Sequence, residues 1–522
     1  MRINVLFSAV LLTVVLAGCG STEAPPSYDI LIINGTVYNG SLSAPTSSAI
    51  GVTGDRIVSM NAAPDAEAAM VIDATGLVVT PGFIDPHTHA TEDLLDATGN
   101  LNANYLAQGV STVFIGNDGG VIDDRDTQLS LMRNQGIGTN VGWFSGHGTA
   151  RESVMGFENR APSDAELDEM RAFVEADMRA GALGLSSGLF YRPDNYAETV
   201  EVIELAKVSA RFNGVYDTHL RDESSYTVGL LGAVQEAITI GEEADIPVNI
   251  AHLKALGRDV WGQSGDIIGL VSAARERGLA ITADQYPWRA SGTSFQSSVI
   301  PRWAMADSEE AMFERLANAD LRDGLREEME ANVWRRGGAD TLLVTGKSEW
   351  NGMTLDEIAT EMGVEPIDAA VEVVRAGNPG IASFNMNPDD ISALAIQPWV
   401  MTSSDGSTGH PRKYASYPKA YRDFVVSSSL LSMSQFVHRS SGLVADSFGL
   451  CDRGYLAEGR RADVTLIDLD TFQPVADFDN PIELATGIVH MFVNGRAAIL
   501  DSEMTGDLAG TVIHRQALEC GR

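Results

Sequence analysis

Between residues 81 and 451 the chain alternates eight short apolar runs with stretches of helical periodicity, and this alternation limits the fold more than any other feature. Strand-like runs separated by helical patterns point to parallel β/α units. Eight such units make a (β/α)8, TIM-like barrel, whose strands present their carboxyl ends on one chemically active face. The residues at those ends are therefore the informative ones. The first run, closing on Phe83 and Ile84, leads to His87 and His89, and the second, 110–116, to Asn117 and Asp118. The third, 141–145, leads to His147, and the fourth, 182–185, to Ser186 and Ser187. The fifth, 214–217, leads to His219, and the sixth, 246–250, to His252 and Lys254. The seventh, 279–282, leads to Asp284 and Tyr286, and the eighth, 399–402, to Asp405.

On an extended strand, residues two apart point to the same side, so His87 and His89 can face one point in space. Any single histidine or aspartate of this set has an ordinary role in a core or a solvated turn. Eight coincidences of place argue for a site. Four histidines (His87, His89, His219, His252) and two carboxylates (Asp118, Asp405) make a donor set that suits Zn2+ with a position left open for water. Zinc lowers the pKa of water towards about 7. A carboxylate beside that water, with Asp405 on the last strand the natural candidate, takes its proton and returns it to a leaving group. The set reads as metal-assisted hydrolysis. His147 is read as orienting a loop, and Asp118 is also of the type favoured at a helix N-cap.

The ends of the chain read differently. Residues 28–79 are short, alternating and turn-punctuated, with an Asn34-Gly35 turn signal, and 462–468 and 490–495 carry the same strand signature. Neither piece can bury two sheet faces alone, so a small β-sandwich built from both ends, 28–80 and 455–515, is expected around a catalytic barrel at 81–454. The long interval between the seventh and eighth runs, 288–398, is expected to be an inserted subdomain or a lid over the site, with an inserted helical segment at about 289–350. Residues 1–19 combine Arg2, an apolar core and Leu16-Ala17-Gly18-Cys19, which describes a lipoprotein signal peptide with Cys19 as the lipidated residue. Residues 20–27 then form a tether. The expectation is an exported bacterial lipoprotein on the periplasmic side, held at the outer membrane since no Asp follows Cys19. A net charge of −35 argues against nucleic acid or an anionic membrane surface as partner, so the membrane is reached only through the lipid. Cys451 and Cys520 make no disulfide framework, and one bridge between them stays open.

The His-x-His after the first run, the single histidines after the fifth and sixth and the Asp after the eighth resemble the amidohydrolase superfamily. The nearest resemblance is to the N-acyl-D-amino-acid deacylase (D-aminoacylase) family. It is carried by Ser186-Ser187-Gly188-Leu189, Thr218-His219-Leu220-Arg221-Asp222-Glu223, Ala251-His252-Leu253-Lys254, Asp284-Gln285-Tyr286-Pro287, and Ser404-Asp405-Gly406 with His410-Pro411-Arg412. The tail from Gly459 to Gly495 is also similar, so the likeness covers essentially all of the chain after the tether. One departure stands out. Where that family carries a cysteine after the second strand, this chain has Gly116-Asn117-Asp118-Gly119. Asp118 is still a competent zinc ligand, with oxygen in place of thiolate. The fourth run offers no Lys for a carbamylated bridge.

The resemblance implies one tight Zn2+ on Asp118, His219 and His252, and a second, weaker metal at His87 and His89 sharing Asp118 and Asp405. It implies a small-molecule N-acyl amino acid as substrate, its α-carboxylate met by Lys254 and Tyr286. Arg412 is placed to serve an acidic side chain or that carboxylate, and Arg221 is another such cation. The implied reaction hydrolyses the acyl amide bond of N-acyl-D-amino acids to a carboxylate and a free D-amino acid. The D preference comes from the resemblance and from no physical feature of the sequence. A dipeptidase acting on L-D dipeptides and a cyclic-amide hydrolase are the alternatives within the superfamily. A binding or zinc-storing lipoprotein is the alternative outside it, and the intact histidine set with Asp405 speaks against that.

Overall fold

Strands buried on both faces need apolar or small side chains at every position, and Val110–Ile115 is buried throughout. In the computed structural model, which describes residues 27–120, 124–515 and 518, this segment is the second of eight parallel strands. They are β1 (Phe83–Asp85), β2 (Val110–Ile115), β3 (Asn140–Trp143, resuming at Ser145–Gly146), β4 (Gly184–Gly188), β5 (Val215–His219), β6 (Val248–Ile250), β7 (Ile281–Gln285) and β8 (Val400–Thr402). Each pairs in parallel with the next, from Phe83 opposite Val110 through to Gln285 opposite Thr402. The ring closes where Thr88 bridges Gly406 and the Asp405 N–H donates to the His87 carbonyl at 3.0 Å.

Two strands lie two residues further along than their apolar runs. Ser186, Ser187 and Asp284 therefore sit inside β4 and β7, fully buried, instead of beyond their ends, and His219 is likewise the last residue of β5. Small hydroxyl side chains fit a crowded barrel interior without adding to the apolar signal that marks a strand. The insert departs further from the sequence reading of a helical segment at 289–350. It holds the helices Phe295–Val299, Glu309–Ala317 and Arg322–Arg335, but runs on past residue 350. It is organised on an antiparallel sheet of Ala290–Ser294, Gly380–Phe384 and Leu342–Thr345. Ala-Ser-Gly-Thr-Ser has no apolar alternation, so this edge strand has no periodic signature. The insert buries its own core, including Phe295, Met312, Leu355 and Val373.

Both chain ends build the small β-domain. One sheet orders Arg56–Ser59, Ile50–Thr53, Tyr28–Ile33 and Ala68–Asp73. The other joins Thr36–Val37 and Val78–Pro81 to Val464–Ile467, Ile488–Val493, Arg496–Leu500 and Glu503–Met504. Ile32, Ile50 and Val79 from the first half pack with Val464, Leu466 and Phe492 from the second. Residues 1–26, with the signal segment and Cys19, and Cys520 lie outside the described residues. Cys451 is disulfide-bonded. Among the described residues no helix is long and apolar enough to cross a membrane.

Candidate metal centre and substrate pocket

The donors leave their strands on unusual backbone. Asp118, His252 and Asp405 take φ of +59°, +34° and +47°, in the left-handed region that non-glycine residues seldom occupy. Such backbone survives only where the surroundings hold it, and it concentrates at functional sites. The holding contacts are visible. Asp85 at the end of β1 accepts the N–H of His87 at 3.3 Å and of Ser404 at 3.1 Å, and Asp284 accepts the N–H of His252 at 2.9 Å. Gly119 has φ +77°, and a Cβ there would collide with Asp194 and the Gly188 backbone. The helix after β2 begins at Arg125 under Asp124, so Asp118 is not its cap.

All six expected metal donors meet at the carboxyl end of the barrel. His219 Nδ1 and His252 Nε2 lie 2.9 Å apart, and Asp118 Oδ1 lies 3.6 and 3.3 Å from them. His87 Nε2 is 3.4 Å from the same oxygen, while His89 Nε2 is 3.5 Å from Asp118 Oδ2 and 3.2 Å from Asp405 Oδ1. Among the described residues four three-residue sets could hold a cation: His87 with Asp118 and His252, His87 with His89 and Asp405, His219 with Glu223 and His252, and His87 with Asp217 and Asp284. Both ring nitrogens of fully buried His87 lack a hydrogen-bond partner. Imidazole nitrogens and carboxylate oxygens converging at these distances fit a cation among them, and an imidazole–carboxylate set fits zinc.

The electrostatics make the same demand for positive charge. Burial opposes protonation of His87, yet Asp118 and Asp405 outweigh it and raise its pKa to about 10. Burial also opposes charge on Asp405, but the Arg412 guanidinium and the imidazoles prevail and hold its carboxyl well below the usual range. Beneath the donors lies a polar layer in which Asn249 donates to Asp217 and Asp284 at 2.8 Å each. Burial pushes the Asp217 carboxyl up to about 6.

The expected substrate contacts fare differently. Arg412 lines the pocket but its Nη1 is ion-paired with Asp405 Oδ2 at 2.8 Å, and Lys254 gives its ammonium to Glu223 at 2.5 Å. Tyr286 is buried beside both cations, with its hydroxyl unpartnered. Arg221 is not on the pocket wall: it is paired with Glu236 at 2.8 Å and bonded to the Ala197 carbonyl. His147 is buried between Glu201 at 2.9 Å and Asp194 at 3.1 Å, partnered by these carboxylates. Glu223 was not singled out from sequence, although it stands four residues after His219. Its carboxylate reaches Lys254, His252 Nδ1 at 3.2 Å and His219 Nε2 at 3.7 Å. The donors open into a cavity of about 310 Å³, at the small end of ligand pockets. The barrel side of its wall includes Phe190, Tyr191 and Leu256, and the insert adds Thr293, Arg336, Thr345 and Ile381.

A family model described as "Amidohydrolase family" matches residues 70–193. A D-aminoacylase of Alcaligenes xylosoxydans xylosoxydans is 30% identical over 529 residues, covering 94% of this chain and 98% of that protein. The N-acyl-D-aspartate deacylase of the same organism is 30% identical over 514 residues, covering 93% and 94%. Among solved structures, the N-acyl-D-glutamate deacylase of Bordetella bronchiseptica, complexed with zinc and a phosphonate mimic of the tetrahedral intermediate, superposes with a TM-score of 0.81. It is 26% identical, covering 94% of this chain and 100% of that one. A D-aminoacylase described as having a binuclear metal centre, activated by one metal and attenuated by the second, gives 0.80 at 28% identity, with the same coverage.

Proposed function

The chain belongs to the D-aminoacylase family of amidohydrolases, and on that premise we propose that it is a zinc-dependent hydrolase of the acyl amide bond of N-acyl-D-amino acids. Asp405 carries the reading. It stands on the pocket wall with one oxygen toward His89 and the other fixed by Arg412. Zinc, held by Asp118, His219 and His252 with His87 and His89 beside them, would polarise the substrate carbonyl and acidify water. Arg412 keeps Asp405 ionised and holds Oδ2, so that Oδ1, on the side of His89 and the other donors, would take a proton from water and pass it to the departing amine. Glu223 and Lys254 fix the ring of His252 from behind, which sets the direction of its Nε2. Phe190 and Tyr191 narrow the pocket against bulk water.

Hydrolysis of matched N-acetyl-D- and N-acetyl-L-amino acids by the zinc-reconstituted protein without its first 19 residues tests this. Release of amine from the D series alone, reduced roughly 10²–10⁴-fold in Asp405→Asn with zinc still bound, is the expected result. Release from neither series with zinc bound would refute it and turn attention to dipeptides and cyclic amides. The lipoprotein reading of residues 1–19 goes with this function. It is supported by Leu16-Ala17-Gly18-Cys19 and by the disulfide at Cys451, a bond suited to an oxidising compartment. A Cys19→Ser variant that still fractionated with membranes would overturn it.

A further inference from the structure

Three strong cations line the pocket, and two of them are already engaged. Lys254 donates its ammonium to Glu223 Oε1 (2.5 Å) and the His252 carbonyl (2.8 Å), with His252 Nδ1 also 2.8 Å away. Arg412 is ion-paired with Asp405 Oδ2 at 2.8 Å and donates from Nη2 to Ser407 Oγ at 3.1 Å; its Nε and Nη1 make no hydrogen bond, but its charge is met by a carboxylate. Arg336 is the third. It follows the insert helix Arg322–Arg335 and is 2% exposed, and no carboxylate lies within ion-pair distance of it among the described residues. Its one side-chain hydrogen bond runs from Nη1 to Ser383 Oγ at 3.4 Å, and its Nε has no partner.

A buried charge without a counter-charge is unfavourable unless something else supplies one. This chain has 71 acidic residues against 36 basic ones, so acids are not scarce. The pocket nonetheless leaves this guanidinium for an anion from outside. Position decides which anion. In an N-acyl amino acid the α-carbon bears the amide nitrogen directly, so the α-carboxylate must lie close to the metal donors. Lys254 and Arg412 are in contact with those donors, whereas Arg336 touches the insert sheet at Ser383 and none of the donors. A carboxylate two or three bonds further out, at the end of a side chain, is the group that reaches the insert wall.

We infer that Arg336 is a specificity-determining residue that receives the side-chain carboxylate, so that the preferred substrates are N-acyl derivatives of dicarboxylic D-amino acids. The inference rests on the deacylase reading. A planar guanidinium suits a carboxylate through two parallel N–H···O bonds, while an uncharged amide of the same shape meets it poorly.

The test measures kcat and KM for N-acetyl-D-glutamate, N-acetyl-D-glutamine and N-acetyl-D-leucine, using the zinc-loaded wild type, Arg336→Met and Arg336→Lys, with zinc content measured for each. The wild type should prefer glutamate over its isostere glutamine by at least tenfold in kcat/KM, mostly through KM. Arg336→Met should lose on the order of a hundredfold on glutamate and stay within about twofold on glutamine and leucine. Arg336→Lys, which keeps the charge without the fork, should fall between. Cleavage of the leucine derivative with no preference for glutamate over glutamine in the wild type overturns the inference alone, whatever the variants do. An equal loss on all three substrates in Arg336→Met with zinc retained assigns the guanidinium to the α-carboxylate or the fold, and also overturns it. Cleavage of none of them by the wild type overturns the deacylase reading and this inference together.

Discussion

Replacing Glu223 by Gln isolates what an unforeseen carboxylate does for the metal centre. The side chain is nearly fully buried and reaches three groups: Lys254 Nζ at 2.5 Å, His252 Nδ1 at 3.2 Å and His219 Nε2 at 3.7 Å. Gln keeps the volume and removes the charge. Breaking a buried ion pair by neutralising one partner costs about 3–5 kcal/mol, because the other charge is left uncompensated. Here the remaining acceptor on Lys254, the His252 carbonyl, holds the loss to the lower end. Spread over a chain of this length, with an unfolding entropy of roughly 2 cal/mol/K per residue, 3 kcal/mol moves Tm by only about 3 °C. Heat is therefore a blunt readout, and zinc affinity is the sharper one. Loss of a partner that orients a ligating histidine typically lowers metal affinity about 10–100-fold, or about 1.4–2.7 kcal/mol. A competitive chelator titration should show zinc binding weakened by that factor, with kcat/KM recovering as zinc is raised. Zinc affinity within twofold of wild type, in a folded Glu223→Gln protein, would refute the reasoning.

Two further outcomes follow from separate contacts. His147 sits between Glu201 and Asp194, with Arg151 on the far side of Glu201; burial opposes its protonation, but the two carboxylates raise its pKa to about 9. A group raised from about 6.5 stabilises the fold fully below pH 6.5 and loses that contribution as pH climbs through 9, a change of about 3 kcal/mol. Urea midpoints at pH 6.5 and 9.5 should diverge more in wild type than in His147→Gln, and equal slopes would contradict the assignment. At Gly292 an added Cβ would lie 2.9–3.3 Å from the Arg412 guanidinium. Gly292→Ala should push Arg412 off Asp405 and lower kcat about tenfold with zinc content unchanged, and an unaltered kcat would show that the bridge to Asp405 is dispensable.

Sequence spacing exposes the barrel and its donors because both are periodic or local. Eight apolar runs mark eight strands, and His87 and His89 share a strand end. What stays hidden depends on partners distant in sequence. Lys254 and Arg412 read as free cations because a sequence shows a charge without its counter-charge, and here Glu223 and Asp405 supply one each. Arg336 gives no local signal at all, since its distinction is a missing partner. Ala290–Ser294 forms a strand only because Gly380–Phe384 lies beside it.

The strand Val464–Ile467 pairs residue by residue with Val78–Pro81, immediately ahead of β1. Nearly four hundred residues separate the two partners, so the loop that closes when they pair is about three quarters of the chain. The first strand of the barrel thus leaves a sheet that cannot be completed until the last part of the chain has been made, and contacts of such separation are slow to form. Until then Val78 and Val79 have no antiparallel neighbour and present an open sheet edge, which is a template for pairing with another chain. The assembly of this molecule is therefore paced by its tail, and a chain cut short before residue 464 would leave the strand that leads into the barrel paired on one edge only, with Thr36–Val37.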